Sequence, residues 1–209
     1  MQRLIYIMDP MCSWCWGFAP VVEALSAQAA EYGVPLHVVV GGLRLDRAPL
    51  EQSVRSKIFE HWQNVEQTTG QPFDFTGALP EGFVYDTSLA CQALVAARVL
   101  EPALVLPLAK RLQKAFYCDQ NPLRDIAAIV QMAVEVGLDE ERFASALDCA
   151  STEEATLADF AWASGLGIVG FPTLLAEHNG QLALLTNGYQ PLPALRSLLA
   201  RWLAQAARV

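Results

Sequence analysis

The chain has 209 residues, of which 53% are hydrophobic, and a formal net charge of −8. This length is enough for one large domain, or for one domain that carries an insertion, around a substantial core. Its 14 basic residues are scattered among 22 acidic ones, which excludes the basic surface of a nucleic-acid binder or of a protein that binds anionic membranes. An apolar run long enough to span a bilayer and a signal-peptide pattern are both lacking, so we expect a cytoplasmic location.

The first forty residues predict a strand, a helix and a second strand. Residues 4–8 are almost wholly apolar, as is typical of a strand buried on both faces of a sheet. Apolar residues then recur at three- and four-residue spacing as far as Tyr32, which predicts a helix that Gly33 ends. The β-branched run at 36–40 predicts the second strand. Two strands joined in this way are parallel, with a right-handed crossover.

The middle of the chain has a different pattern. Residues 52–165 are almost entirely helical in periodicity, interrupted by a loop at 70–82 that is rich in glycine, proline and aromatic residues. We expect the helices of this block to begin at capping or proline signals, which lie near Asp86, at Pro102, at Asn121 with Pro122, at Asp139 and at Ser151.

Strand signals return after the helical block. The segments at 173–176 and 182–186 flank Asn179 and Gly180, a strong signal for a tight turn, and predict an antiparallel hairpin. A stripe of leucines with Trp202 then predicts a terminal helix. The element order is therefore β-α-β, a helical block, and β-β-α.

Cys12 and Cys15 lie where the first strand gives way to the first helix. One helical turn brings their sulfurs to the same side and within disulfide reach. A zinc site would need two further Cys or His ligands, and the sequence has no second closely spaced set. We therefore interpret the pair as a redox motif and expect neither a metal nor another cofactor. At a helix N-terminus, the backbone amides and the helix dipole favour Cys12 as the thiolate.

The other three cysteines give no such signal. Cys91 and Cys149 lie in apolar helical surroundings, where a free cysteine behaves as a small hydrophobic residue. Cys118, beside two polar residues at a helix end, is the one that we expect to be most exposed.

The element order, the Cys-x-x-Cys motif that opens the first helix and the Gly-Phe-Pro-Thr sequence at 170–173 resemble the thioredoxin fold of the DsbA family. Residues 9–16 look most like the cytoplasmic group of this family that includes FrnE-like proteins and predicted protein-disulfide isomerases. The resemblance implies an α/β protein. Its thioredoxin-like domain would comprise residues 1–43 and 168–209, and a large all-helical insertion would comprise residues 44–167.

The resemblance also implies roles for individual residues. Cys12 would be the exposed nucleophile, Cys15 the resolving thiol, and Pro172 a cis-proline beside them. Phe171 would present an aromatic surface next to Cys12, and Trp14, between the cysteines, is the best candidate for an exposed aromatic residue. Trp14, Phe171 and Pro172 are therefore the candidates for substrate binding.

This sequence departs from the family pattern where the redox chemistry is set. Ser13 and Trp14 separate the cysteines, so the histidine of the strongly oxidising periplasmic member is missing and we expect an intermediate potential. Tyr6 stands where many relatives carry a buried carboxylate, which leaves the proton acceptor of Cys15 unassigned. Asp9 either caps the turn before the helix or assists proton transfer to Cys15, and we favour the capping role.

We predict a thiol–disulfide oxidoreductase or protein-disulfide isomerase that acts on protein or peptide thiols and disulfides, with glutathione as a further candidate. A first alternative is a glutathione-linked enzyme of the 2-hydroxychromene-2-carboxylate isomerase or kappa-class transferase type, which share the architecture but typically have serine in place of Cys12 and lack the second cysteine. A second alternative is a peptide-binding module. The two thiols favour the oxidoreductase, while the direction of electron flow and the oligomeric state stay open.

Overall fold

The computed structural model describes residues 2–206. The strands are β1 (Gln2–Met8), β2 (Leu36–Val40), β3 (Leu45–Pro49), β4 (Val84–Asp86), β5 (Thr173–His178) and β6 (Gln181–Asn187). The helices are α1 (Ser13–Ala30), α2 (Gln52–Thr69), α3 (Ser88–Leu100), α4 (Val105–Tyr117), α5 (Ile126–Glu135), α6 (Glu140–Leu147), α7 (Ala150–Gly165) and α8 (Leu192–Ala206). Within residues 2–206, every helix is too short or too polar to cross a lipid bilayer.

The main sheet has four strands in the order β2-β1-β5-β6. Strand β1 is parallel to β2 and antiparallel to β5, and β6 is antiparallel to β5. The predicted β-α-β unit and the predicted C-terminal hairpin therefore meet along β1, and the α/β fold class is confirmed. Asn179 and Gly180 both have positive φ, 50° and 81°, as the two-residue turn of a hairpin requires.

Strand β1 is buried on both faces, as its apolar sequence predicts. Leu4, Tyr6 and Met8 point into the large core that is shared with α1 and the helical block. Ile5 and Ile7 point into a smaller cluster on the opposite face, with residues of β2, β5 and α7. This alternation places Leu4, Tyr6 and Met8 in the same core cluster as the two cysteines of the motif.

The expectation of an all-helical insertion is wrong in one respect. Strands β3 and β4 form a separate two-stranded antiparallel sheet within it. The side chains of β3 are mostly exposed, so this strand is held by backbone pairing and has no alternating apolar pattern that could have predicted it.

Two of the predicted helix starts are also wrong. Leu123 has a positive φ of 53°, so the chain cannot enter a right-handed helix at Pro122, and α5 begins only after Asp125, whose side chain accepts the Ala127 N–H. Helix α7 begins at Ala150 rather than after a Ser151 cap. By contrast, Asp139 caps α6 as predicted, because its carboxylate accepts the Arg142 N–H at 2.9 Å.

An ion pair joins two insertion helices to the main sheet. Arg98 of α3 bonds Asp159 of α7 through both ends of its guanidinium group, at 2.6 and 3.1 Å. Arg98 also donates to the Val38 carbonyl at 2.5 Å, and Asp159 accepts the Val40 N–H at 3.0 Å. Both side chains are largely buried, with 15% and 13% exposed. The boundaries at 43/44 and 167/168 stay a prediction, but these contacts tie the insertion firmly to β2.

Candidate active site

The cysteine motif lies at the carboxyl end of β1, where the chain turns into α1. Cys12 is the N-cap residue of α1, with an extended backbone, and Cys15 is in the first turn. The side chains are 5% and 0% exposed respectively, and the five cysteines of the chain, all within the described residues, are free thiols. The expectation that Cys12 is exposed is therefore wrong: both thiols are buried, and the loop before β5 lies against Cys12.

The loop before β5 lies directly against Cys12. The Cys12 thiol is 3.6 Å from the carbonyl oxygen of Phe171, within the range for a bond from sulfur. The peptide bond between Phe171 and Pro172 is cis, and the Pro172 carbonyl accepts the Gly188 N–H at 2.7 Å. The structure thus brings together Cys12, Phe171 and Pro172, although 159 residues separate the first two in sequence.

Cys15 lies in surroundings that oppose its ionisation. Burial, and then the neighbouring Cys12 thiol, raise the pKa of Cys15 well above its ordinary value, while a hydrogen bond from the backbone of Asp9 acts in the opposite direction. At neutral pH Cys15 is therefore a protonated thiol, and it must lose that proton before it can act as a nucleophile.

Asp9 is a buried carboxylate that holds the walls of the site together. One oxygen accepts the Met11 N–H at 2.8 Å, which fixes the turn into α1 as predicted for a capping residue. The other oxygen accepts the Leu43 N–H at 2.7 Å, the Thr87 hydroxyl at 2.6 Å and the Cys91 thiol at 3.3 Å. Burial raises the pKa of Asp9, and these bonds counteract the rise.

A cleft of about 360 Å³ opens beside Cys12. Trp14, which was the best candidate for an exposed aromatic residue, is half-buried; it lines the cleft and packs against Tyr189 with ring centroids 5.9 Å apart. Phe171 and Gly170 form one wall, and the remaining residues of the cleft come from the β1–α1 turn, the segment after β2, α2 and β4: Met11, Ser13, Leu43, Arg44, Ile58, His61, Trp62 and Tyr85.

The sequence interpretation missed the wall opposite Phe171. The guanidinium group of Arg44 lies 5.3 Å from the centre of the Tyr85 ring. The Tyr85 hydroxyl in turn donates to the Met11 carbonyl at 2.5 Å. These contacts join segments that are distant in sequence, and no local sequence pattern predicts them.

The predicted surroundings of the isolated cysteines need a correction. Cys149 is exposed, and Cys118 is only partly exposed. Cys149 precedes α7 rather than lying inside it, and its hydrogen bonds with Ser151 lower its pKa. Cys91 is completely buried, as expected, and its thiol is held by Asp9. Among the described residues, no three His, Cys, Asp or Glu side chains form a group that could hold a metal ion.

Taken together, two free thiols lie at the N-terminus of α1, and the loop before β5 lies against one of them, which is the arrangement expected of a thiol–disulfide exchange site. Comparison with solved structures points the same way. A candidate protein disulfide isomerase from Nitrosomonas europaea has 42% sequence identity and a TM-score of 0.92, over 98% of both chains. The cytosolic disulfide reductase DsbM from Pseudomonas aeruginosa has 28% identity and a TM-score of 0.79, over 97% of this chain and 99% of DsbM.

More distant proteins show the fold alone. The 2-hydroxychromene-2-carboxylate isomerase is 15% identical, with a TM-score of 0.66. Among curated proteins, the ClpXP adapter protein SpxH of Halalkalibacterium halodurans is 22% identical over 174 residues, which cover 80% of this chain and 56% of the adapter. The chain therefore spans little more than half the length of that relative.

The model of the DSBA-like thioredoxin domain family matches residues 3–200. The chain belongs to this family, and it is a thiol–disulfide oxidoreductase or isomerase.

Proposed function

We propose that Cys12 is the nucleophile and Cys15 the resolving thiol of this enzyme. The observation that carries the proposal is the difference between their positions: Cys12 lines the cleft, whereas Cys15 is fully buried beneath it. A substrate sulfur in the cleft can therefore meet Cys12 but cannot reach Cys15 directly. Helix α1 begins at Ser13, so the unpaired backbone amides of its first turn lie beside Cys12.

The reaction follows from this arrangement. The Cys12 thiolate attacks one sulfur of a substrate disulfide, which forms a mixed disulfide and releases the other sulfur as a thiolate. Cys15 then loses its proton and attacks the Cys12 sulfur, which forms the Cys12–Cys15 disulfide and releases the second substrate thiolate. The substrate gains two electrons and the cysteine pair loses two. Two molecules of a thiol reverse these steps and restore the reduced pair.

The cleft supports disulfides carried by peptides as substrates. Trp14 and Phe171 offer apolar contact on either side of Cys12, and the backbone of the cis-proline loop beside Cys12 can pair with an extended segment. Glutathione, itself a small peptide thiol, is the second candidate partner, because the similar DsbM has been crystallised with it. DsbM is a cytosolic protein, and we propose the same location here.

Paired serine variants test the assignment. Cys12→Ser should abolish reduction of a scrambled or glutathionylated protein substrate, because the cleft then contains no nucleophilic sulfur. Cys15→Ser should instead accumulate a mixed disulfide on Cys12, which mass spectrometry of the intact protein would detect. Cys149→Ser is the matched control, because that thiol is exposed but lies outside the cleft, and it should keep wild-type activity.

Retention of activity in Cys12→Ser, or failure of Cys15→Ser to form the mixed disulfide, would contradict the proposed roles. Equilibration of the wild-type protein in glutathione buffers gives the redox potential of the pair. We expect a potential between the reducing and the strongly oxidising members of the family, because neither residue between the cysteines is charged. A potential at the oxidising extreme would argue against a reductase in the cytosol.

A further inference from the structure

A small cavity lies between β1, α1 and α4, on the inner side of the cysteine motif. Its volume is about 10 Å³, close to what a single water molecule needs. The polar side chains that line it are Tyr6, Glu23, Lys110 and Gln113, and its other lining residues are apolar. Because so few polar groups converge on it, each can be assigned a role.

Two of these side chains are buried with hydrogen-bonding capacity left over. The Gln113 amide nitrogen has no hydrogen-bond partner in the protein, and the Tyr6 hydroxyl has none beyond its contact with the Cys15 thiol. Gln113 and Tyr6 are 2% and 1% exposed. Buried polar groups are nearly always satisfied, by protein or by ordered water. A water between Tyr6 and Gln113 would satisfy both, and such waters typically make about three hydrogen bonds.

The other two polar side chains that line the cavity, Glu23 and Lys110, reach solvent. Glu23 on α1 pairs with Lys110 on α4 at 2.9 Å, and these side chains are 40% and 53% exposed. The cavity is thus lined both by a solvent-exposed ion pair and by the buried Tyr6.

Tyr6 also adjoins the resolving thiol. Burial, and then the adjacent Cys15 and Cys12 thiols, raise the pKa of Tyr6 well above its ordinary value. Tyr6 therefore stays an uncharged hydroxyl, which can accept one proton only as it gives up another.

We propose that this cavity binds one water molecule, and that Tyr6 and this water pass the proton of Cys15 to Glu23 when Cys15 attacks the mixed disulfide. The proposal rests on the roles assigned to Cys12 and Cys15 above.

The transfer balances as a chain of donations. The Cys15 thiol gives its proton to the Tyr6 oxygen, and Tyr6 gives its own proton to the water. The water passes a proton to the Glu23 carboxylate, which exchanges it with solvent. Gln113 donates to the water and orients it. The electron pair stays on the Cys15 sulfur, which attacks Cys12 and releases the substrate thiolate.

The other titratable groups around Cys15 do not offer the same route. Asp9 already uses both carboxylate oxygens to accept hydrogen bonds. Cys12 is tied up in the mixed disulfide at that moment. Tyr117 of α4 also faces the thiols, but it does not line the cavity. Tyr6 is therefore the group that links Cys15 to the cavity.

The test follows the second step separately from the first. In a background with Cys118→Ser and Cys149→Ser, a chromogenic aryl disulfide releases one thiolate when Cys12 attacks and a second when Cys15 resolves the mixed disulfide. Tyr6→Phe should leave the first release unchanged and slow the second by about 100-fold or more at neutral pH. Its pH profile should move to higher pH, since hydroxide must then remove the Cys15 proton directly.

Two further variants make the test specific. Gln113→Met keeps the length of the side chain but cannot orient the water, and it should slow the second release in the same direction. Tyr117→Phe is the matched control, because this tyrosine is also buried and faces the thiols but does not line the cavity, and the variant should resolve the mixed disulfide at the wild-type rate.

Wild-type rates and pH profiles of the second release in both Tyr6→Phe and Gln113→Met would overturn the relay while leaving the cysteine roles intact. Absence of a trapped mixed disulfide in Cys15→Ser would overturn both. A high-resolution crystal structure should show the water within hydrogen-bonding distance of Tyr6 and Gln113, and its loss in Tyr6→Phe would support the relay.

Discussion

At the scale of single residues, Asp9 has the most unusual surroundings. It is a carboxylate with no solvent exposure, and its partners come from the turn into α1, the segment after β2 and the start of α3. A buried charge is tolerated only where several donors compensate for lost hydration. Asp9 meets this condition and, in doing so, fixes the positions of the segments that enclose the cleft.

Removal of this carboxylate should destabilise the protein. Asp9→Ala leaves several buried donors without an acceptor, partly offset by relief of the buried charge, so we expect a loss of about 2–4 kcal/mol in the free energy of unfolding. Urea denaturation measures it. Asp139→Ala, which removes a helix cap at the surface, is the comparison and should lose about 1 kcal/mol. Equal losses in the two variants would show that Asp9 contributes no more to stability than a helix cap at the surface does.

At the scale of the elements, the end of β2 and the loop before β5 fit closely together. A Cβ atom on Gly41 would lie 2.0 Å from the ring of Phe171, far inside contact distance. The glycine therefore allows the aromatic ring to lie over the end of β2, where Phe171 both lines the cleft and holds its carbonyl against Cys12.

Gly41→Ala should displace Phe171 and impair substrate binding. We expect kcat/KM for a peptide disulfide to fall by about tenfold or more, chiefly through KM, because the cysteines themselves stay in place. Steady-state kinetics and thermal unfolding measure the two effects. Gly165→Ala is the control, since a Cβ there meets no atom within 4 Å. An unchanged KM in Gly41→Ala would show that the Phe171 ring does not contribute to binding.

Comparison of the predicted and observed elements shows which of them the sequence could predict. Strands β1 and β2, helix α1 and the terminal hairpin each have a continuous apolar pattern and a local stop or turn signal, and all were predicted. Strand β3 has neither, and its pairing with β4 depends on segments more than thirty residues apart. The cysteines were recognisable because their spacing is local. Leu43, Arg44 and Tyr85 were not, because only the tertiary fold brings them to the cleft.

At the scale of the whole molecule, the helical insertion and the main sheet share one large core. The Arg98–Asp159 pair adds a polar connection at the edge of that core, between two insertion helices and the backbone of β2. A largely buried pair of this kind tolerates loss of one partner poorly, because the remaining charge stays buried.

Arg98→Met should therefore destabilise the whole protein. We expect a loss of about 3–5 kcal/mol in the free energy of unfolding, with insertion and sheet still unfolding in one transition. Denaturant unfolding followed by both tryptophan fluorescence and far-UV circular dichroism tests this. Arg111→Met, which breaks more exposed ion pairs with Glu135 and Asp119, should lose only about 0–1 kcal/mol. Separate transitions for the two probes would contradict the shared core.

The position of β1 between β2 and β5 also has a consequence for biosynthesis. A ribosome adds roughly 5 to 20 residues per second, so the chain between Val40 and Thr173 takes on the order of ten seconds to emerge after β2. During that interval β1 has a partner on one edge only, and the Phe171 loop that will cover Cys12 does not yet exist. The nascent chain thus carries Cys12 without the loop that lies against it in the folded protein.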